Sequence, residues 1–147
     1  MTPTKTVVVD ASVAAKWLFA ESGAGEALAL LDAAAEDRLI ILVPEFLDIE
    51  VANALWRRHV LLGEIPIQRV DSLWDRYRLF PLNVYHHAGL VSDALSAACA
   101  YGRGLTIYDA TYIVCAMHNA CGLVTADAGQ AKAAREFLAA DDVALIR

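Results

Sequence analysis

The sequence has no apolar stretch of the length that a membrane-spanning helix needs. Its longest uninterrupted apolar runs are about five residues, of which residues 39–43 are one, whereas a span requires ~20. The first apolar run is also too short for the hydrophobic region of a signal peptide, because Asp10 interrupts it. We therefore expect a soluble, cytoplasmic protein with no membrane partner.

Cysteine is scarce, and its pattern disfavours both a disulfide scaffold and a zinc site. Cys99, Cys115 and Cys121 are an odd number in apolar surroundings, which is typical of reduced structural thiols. Cys115 and His118 lie one helical turn apart, but the sequence has no second Cys/His pair with ligand spacing.

Positive charge is in short supply as well. Twelve Lys and Arg stand against 18 Asp and Glu, for a net charge of -6, which argues against a broad, non-specific grip on nucleic acid by the monomer. A nuclease is not excluded, because a metal-dependent active site itself concentrates carboxylates and basic residues can gather on one rim.

Apolar sequence, in contrast, is abundant, at 58% of the 147 residues. A domain near this size buries roughly 68–70% of the surface that its unfolded chain exposes. No linker, internal repeat or low-complexity segment interrupts the chain, so we predict that residues 1–147 form a single domain.

Short apolar segments alternate with helical segments along the chain. The predicted strands are residues 6–9, 39–43, 80–85, 123–125 and 143–146. The predicted helices are residues 13–19, 25–35, 45–62, 66–79, 86–101, 108–120 and 128–139. Thr106 is a plausible N-cap for the sixth helix, and in the third the apolar positions at helical spacing include Ile49, Val51 and Leu55.

The strands are continuous apolar runs rather than alternating ones. This pattern, with helices between the strands, is typical of a parallel sheet covered on both faces. The predicted fold class is therefore α/β, with three α/β/α layers around a central, mainly parallel sheet.

Four acidic residues lie at or near predicted strand ends. Asp10 ends the first strand and Asp127 follows the fourth, and sites in open parallel sheets form beyond the carboxyl ends of the strands. Asp109 lies in the first turn of the sixth helix, which reaches the same edge if the segment packs back on the sheet. Glu50 lies on the third helix, on a flank that could face inward.

Each acid also has an ordinary structural interpretation. Asp10 and Asp127 could be turn formers, the helix dipole favours Asp109 in a first turn, and Glu50 could be a solvated helix residue. Four like charges that converge in one cleft are unstable without a cation. Such a cluster suits Mg²⁺ or Mn²⁺, which prefer oxygen ligands and can activate water for attack on a phosphodiester.

Other residues near the acids could assist. The hydroxyls of Ser12 and Thr125 could hold a metal-bound water or a phosphate oxygen, with helix capping as the alternative for Ser12. Basic residues that include Lys16 and Arg57 could form a rim for an RNA backbone; the alternative is solvated helix faces with local ion pairs. The four histidines form no triad with a Ser or Cys, and no Gly-rich phosphate loop with a Lys is present.

Four motifs of the chain resemble those of the PIN-domain family, and most closely those of VapC-type toxins of bacterial and archaeal toxin–antitoxin pairs. They are VVDAS at residues 8–12, PEFLDIEVANAL at 44–55, YDATY at 108–112 and LVTAD at 123–127. The motifs occur in the family's order, and the resemblance covers essentially the whole chain.

The resemblance implies a sheet with strand order 3-2-1-4-5 and an endoribonuclease that depends on Mg²⁺ or Mn²⁺. It matches the family's catalytic and metal-binding acids to Asp10, Glu50, Asp109 and Asp127, and its small hydroxyl residues to Ser12 and Thr125. Some members carry a further acid shortly after the fourth, where this chain has residues Ala128, Gly129 and Gln130.

The same resemblance implies three partners: an RNA substrate, a VapB-type antitoxin whose C-terminal segment lies over the active-site groove, and a second copy in a homodimer. Two alternatives stay open at this point. One is an inactive PIN-like module that binds RNA or protein. The other is a haloacid-dehalogenase-like phosphohydrolase, whose chemistry needs a second Asp two residues after the first, where this chain has Ser12.

Overall fold

A five-stranded parallel sheet lies in the middle of the protein; the computed structural model describes residues 4–147. The sheet has the order β3-β2-β1-β4-β5, and all four strand pairs are parallel. The strands are β1 (Lys5–Val9), β2 (Leu39–Pro44), β3 (Leu82–Tyr85), β4 (Gly122–Thr125) and β5 (Val143–Leu145). The predicted strand order is confirmed.

Helices follow or separate the strands and complete the predicted three-layer α/β/α fold. They are α1 (Ala11–Leu18), α2 (Ala24–Ala35), α3 (Leu47–Trp56), α4 (Ile67–Tyr77), α5 (Leu90–Tyr101), α6 (Ile107–His118) and α7 (Ala128–Ala134). A π-helical turn (Arg57–Leu61) follows α3, and a 3-10 turn (Ala140–Asp142) precedes β5.

The core is continuous across both faces of the sheet. Val8 and Val9 of β1 are fully buried, which explains why the central strand is a run of β-branched residues rather than an alternating one. Trp17 of α1 is also buried, and its Nε1 donates a hydrogen bond of 2.8 Å to the carbonyl oxygen of Ala27. That bond ties α1 to α2 without leaving a polar group unpaired in the core.

The predicted helix over residues 45–62 differs from the structure in two ways. It divides into α3 and the π-helical turn, in which Leu62 N–H donates to the Arg57 carbonyl oxygen at 3.0 Å. Ile49 is 72% exposed, although its apolar character suggested the inner face. Leu47, Val51 and Leu55 are the buried residues of α3, and their i, i+4, i+8 spacing places Ile49 on the opposite side.

Other helix boundaries differ less between the prediction and the structure. Helix α5 begins at Leu90 rather than residue 86, because Gly89 N–H donates to His87 Nδ1 at 3.0 Å in a short loop before the helix. Thr106 is the N-cap of α6 as predicted, and its hydroxyl accepts from Asp109 N–H at 3.2 Å. The three cysteines are free thiols, and burial raises the pKa of the Cys115 thiol to about 12.

The strand register aligns the carboxyl ends of four strands. Pro44 of β2 pairs with Tyr85 of β3, and Val9 of β1 pairs with Val124 of β4. We call this side of the molecule, where Asp10, Pro44, Tyr85 and Thr125 lie, the carboxyl edge. Within residues 4–147, no helix is long and apolar enough to cross a membrane.

Candidate functional site

Asp10 is the most enclosed acid at the carboxyl edge. It follows β1 directly, is only 2% exposed, and is the N-cap of α1, where its Oδ1 accepts from Val13 N–H at 3.2 Å. The Ser12 hydroxyl donates to the same Oδ1 at 2.5 Å, and the Thr125 hydroxyl donates to Oδ2. Both oxygens of the carboxylate are therefore held from two neighbouring strand ends.

Ser12 and Thr125 also connect the first strand end to the fourth. Their hydroxyl oxygens lie 3.4 Å apart. Ser12 Oγ accepts from Ala126 N–H at 2.8 Å, and Thr125 Oγ1 accepts from Asp127 N–H at 3.0 Å. The α1 cap is supplied by Asp10 rather than by Ser12. The two hydroxyls thus orient Asp10 and fix the turn that carries Asp127.

Glu50 reaches the site from α3 and is half-buried. Its Oε2 accepts a hydrogen bond from the hydroxyl of Tyr112, a residue of α6 that is 1% exposed. The Tyr112 ring packs edge-on against Phe46, with ring centroids 5.1 Å apart. Burial raises the pKa of the Tyr112 hydroxyl, and the bond to Glu50 raises it further, so this tyrosine stays protonated as a donor.

Asp109 and Asp127 lie at the starts of two helices. Asp109, half-buried in the first turn of α6, accepts from the Thr106 hydroxyl at 3.0 Å. Asp127 is exposed and is the N-cap of α7, where it accepts from Gln130 N–H at 2.8 Å. The Gln130 side-chain amide reaches back to the Asp109 carbonyl oxygen at 3.3 Å, which joins the two helix starts.

The carboxylates interact electrostatically. Burial raises the pKa values of Asp10, Glu50 and Asp109 above their ordinary range, and neighbouring negative charges raise them further. Asp109 acts on Asp10, both of these act on Glu50, and Asp127 acts on Asp109. The structure therefore brings the four predicted acids into mutual repulsion at one edge of the sheet, which is the arrangement that a bound cation stabilises.

The donor chemistry of the site fits a divalent cation of the Mg²⁺ or Mn²⁺ class. Its polar groups are carboxylates and hydroxyls, the oxygen ligands that these ions prefer. Across residues 4–147, no three or more His, Cys, Asp or Glu side chains form a ready cage for a metal ion. A complete cage is not required, because Mg²⁺ usually keeps several water ligands.

The two basic residues predicted for an RNA rim lie in different settings. The Lys16 ammonium donates to the Ser22 carbonyl oxygen at 2.5 Å and lies 3.9 Å from a carboxylate oxygen of Glu21. Its side chain is 12% exposed, so contact with RNA would first have to break these bonds. Arg57 is exposed at the end of α3. The RNA-binding role of both residues stays a prediction.

Sequence reasoning identified Thr106 as a helix cap but missed the other two residues that hold the outer acids in place. Tyr112 lies within the YDATY motif, but its partner Glu50 is 62 residues away. No local sequence pattern therefore predicts this hydrogen bond. Gln130 was noted only as a position without an acid, yet it is 5% exposed and bonds to the Asp127 turn and to Asp109. The one signal available was a polar residue on the inner face of a short, Ala-rich helix.

Comparison with known proteins places this geometry in context. The family model described as PIN domain matches residues 7–136. Ribonuclease VapC3 of Pyrobaculum aerophilum is 32% identical over 124 residues, which are 82% of this chain and 88% of that protein.

Two solved structures share the fold. The crystal structure of PAE2754 from Pyrobaculum aerophilum superposes with a TM-score of 0.60 at 22% identity, covering 88% of this chain and 86% of the other. The crystal structure of Mycobacterium tuberculosis VapC20, described as a sarcin-ricin loop cleaving toxin, gives a TM-score of 0.64 at 17% identity. That match covers 86% of this chain and 94% of the other.

Proposed function

Because the chain belongs to the PIN-domain family, we propose that it is a divalent-metal-dependent endoribonuclease and the toxin of a VapBC toxin–antitoxin pair. One observation carries the proposal: the buried Asp10 is held by Ser12 and Thr125 at the carboxyl edge, where Glu50, Asp109 and Asp127 add further negative charge. Two of the similar proteins described above, a ribonuclease and a sarcin-ricin loop cleaving toxin, support the substrate class.

In this proposal the ion, Mg²⁺ or Mn²⁺, is held by Asp10, Asp109 and Asp127, with Glu50 binding directly or through a water molecule. When bound, it supplies an activated water molecule and offsets the negative charge of the phosphodiester. Ser12 and Thr125 hold both oxygens of Asp10 in one orientation. The carboxylate is therefore already positioned before an ion binds.

Glu50 has a second proposed task. Tyr112 donates to Oε2 of Glu50, which leaves the other oxygen to accept a hydrogen bond from the attacking water. Burial raises the pKa of the Glu50 carboxyl, and the neighbouring Asp10 and Asp109 raise it further. As a carboxylate, Glu50 can accept a proton from that water. The bond from Tyr112 restricts the rotation of the Glu50 side chain, so the acceptor stays on the side of the other acids.

The proposal includes the partners and the extent of the domain. We infer that residues 1–147 form one PIN domain, since β5 extends the same sheet beyond the matched residues 7–136. A VapB-type antitoxin and a homodimer follow from the VapC likeness. Exposed apolar side chains such as Ile49 and Trp56 offer surface for such contacts. A toxin of this kind acts on cellular RNA, so we propose that it works in the cytoplasm.

The test is to map RNA 5′ ends after total cellular RNA has been incubated with the protein. We expect discrete new ends with wild-type protein and Mn²⁺, and none after chelation or with Asp109→Asn. Asp93→Asn is the matched control, because Asp93 also lies in the first turn of its helix, but its carboxylate is paired with His118 at 2.7 Å. It should leave every cleavage site unchanged.

The opposite result would favour an inactive module. If calorimetry shows Mn²⁺ binding but wild-type protein produces no new ends, the family assignment stands and the nuclease proposal fails. A phosphohydrolase of the haloacid-dehalogenase kind finds no support in the geometry. Both oxygens of Asp10 already accept hydrogen bonds, and Ser12 stands where that chemistry needs a second acid.

A further inference from the structure

A cavity lies on the carboxyl edge beside the acids and takes no part in the mechanism above. Its volume is about 410 Å³, within the range of small-ligand clefts, roughly 300–1,000 Å³. It lies beyond the ends of β2 and β3, whose last residues Pro44 and Tyr85 pair with each other and both line it. The other lining residues come from the start of α3, from the loop before α5, from α5 and from α6.

The cavity adjoins the site through two short connections. Phe46 lines the cavity and packs edge-on against Tyr112, whose hydroxyl holds Glu50. Thr111 lines it from α6, two residues after Asp109. A strand of RNA whose phosphate lies at the acids therefore has this cavity beside it.

The lining is aromatic and polar, with little positive charge. Phe46, Tyr85, His86 and His87 contribute flat rings, and the rings of Tyr85 and His87 are nearly parallel, with an interplanar angle of 7°. Flat rings of this kind stack with nucleobases, whichever base is present. The Glu45 carboxylate lies on the rim, 3.3 Å from His86 Nδ1, and among the residues that the structure describes no Lys or Arg lines the cavity. This favours a neutral base over a phosphate.

The charge of the whole chain points the same way. A net charge of -6 gives the monomer little hold on a phosphate backbone, so contacts with bases have to contribute more of the binding. We propose that this cavity is a base-binding subsite, which receives one unstacked nucleobase next to the cleaved phosphodiester. The ligand that we assign to the cavity, an RNA base, rests on the proposed nuclease function. The cavity and its aromatic lining do not depend on that function.

Nucleoside monophosphates test the site without any catalysis. The chain has four histidines, so the imidazole proton signals can be assigned by single His→Gln variants. Titration of metal-free protein with cytidine, uridine, adenosine and guanosine monophosphates should shift the His86 and His87 signals in a saturable way. His59, which bonds to the Ile65 carbonyl oxygen away from the cavity, should not shift. Equal shifts of all four signals, or none, would overturn the proposal.

Cleavage kinetics test the same cavity in the working enzyme. A single abasic position is moved along an RNA that the protein cuts, and we expect one position beside the cut to raise KM about tenfold through lost stacking. Val91→Trp fills the cavity from α5. It should raise KM for intact RNA by a similar factor and make the abasic position neutral. Leu95→Trp, one turn further along α5 and also exposed, is the matched control.

The outcomes separate the two proposals. If wild-type protein cuts no RNA, the nuclease proposal fails, and the titration alone decides the subsite. If the effects of Val91→Trp and of the abasic position simply multiply, the base does not occupy the cavity and the subsite is overturned. It is also overturned if Val91→Trp leaves KM unchanged but weakens self-association or the binding of an antitoxin, since the cavity would then be a protein-docking surface.

Discussion

The central and outer parts of the carboxylate site are built differently. In the central part, Asp10 is 2% exposed and accepts hydrogen bonds from Ser12, Thr125 and the backbone of α1. In the outer part, Glu50, Asp109 and Asp127 are half-buried or exposed. Each of them is fixed by groups on a helix: Tyr112, Thr106 and Gln130 respectively.

The two parts of the site therefore differ in how many contacts hold each acid in place. The central acid is held by two strand ends and the core beneath them, so its position changes only if the sheet does. The outer acids depend on helix starts and on single side chains, so fewer contacts hold each of them in place. Among substitutions that leave the four acids unchanged and remove only the groups that position them, those in the central part should therefore have larger effects than those in the outer part.

The largest expected effect is that of Thr125→Val, which removes the hydroxyl shared between Asp10 and the Asp127 turn without changing the side-chain shape. We expect activity to fall by about 10- to 100-fold, the usual cost of losing a group that orients a metal ligand. Cleavage rates at several Mn²⁺ concentrations will measure it.

Thr125→Ser is the matched control, because it keeps the hydroxyl and removes only a methyl group. It should retain most of the activity. Full activity in Thr125→Val would mean that Asp10 does not need to be oriented from β4, and the contrast between the two parts would disappear.

A smaller effect is expected for Tyr112→Phe in the outer part. Losing the single bond to Glu50 should weaken Mn²⁺ binding about tenfold, with a stability cost of about 1 kcal/mol. Isothermal calorimetry and thermal unfolding will separate these two quantities.

Tyr77→Phe is a close control for this change. Tyr77 is also a buried tyrosine that donates to an acid on α3, in this case to Asp48 at 2.8 Å. It should cost similar stability and leave Mn²⁺ affinity unchanged. If both variants change metal affinity equally, the effect comes from the packing of α3 and not from the position of Glu50.

The smallest effect concerns stability without metal. The native pKa of Asp109 is raised by burial and by Asp127, so its protonated form favours the fold, and this contribution is lost as pH rises through the native pKa. Metal-free Asp109→Asn should thus unfold a few degrees higher than wild type near about pH 7. The gain should shrink toward about pH 4, where both states of the wild type become protonated.

Scanning calorimetry at several pH values checks this, with Asp71→Asn on an exposed face of α4 as the control. Saturating Mn²⁺ should reverse the order of wild type and Asp109→Asn, because the ion stabilises the native state to which it binds. A lower unfolding temperature for the metal-free variant would contradict this prediction. It would show that the contacts of the Asp109 side chain stabilise the fold by more than the repulsion from its neighbours destabilises it.

Local signals in the sequence predicted the parts of the fold that local physics determines. Thr106 is a helix cap because its hydroxyl accepts from a backbone N–H three residues on, and the apolar run at Val8 and Val9 marks a strand buried on both faces. The strand order came from the family resemblance, since the spacing of apolar residues does not say which strands are neighbours.

Distant pairings and changes of helix type could not be predicted in this way. The bond from Tyr112 to Glu50 joins two helices whose approach depends on the whole sheet. The π-helical turn at Arg57–Leu61 follows α3 directly and contains no buried residue, so no apolar pattern marks the change of helix type. Ile49 was misplaced because an apolar residue type was weighted above its angular position on the helix. The roles of the four acids stay predictions until the variants above are measured.

The central position of β1 has a consequence for the protein's synthesis. This strand precedes both of its neighbours along the chain, and one of them, β4, follows only after six helices and two other strands. Asp10 and the Thr125 hydroxyl that holds it are 115 residues apart, so a chain still emerging from the ribosome has the first acid but not its support. A site built this way cannot hold its first acid in place until β4 has been synthesised and has paired with β1.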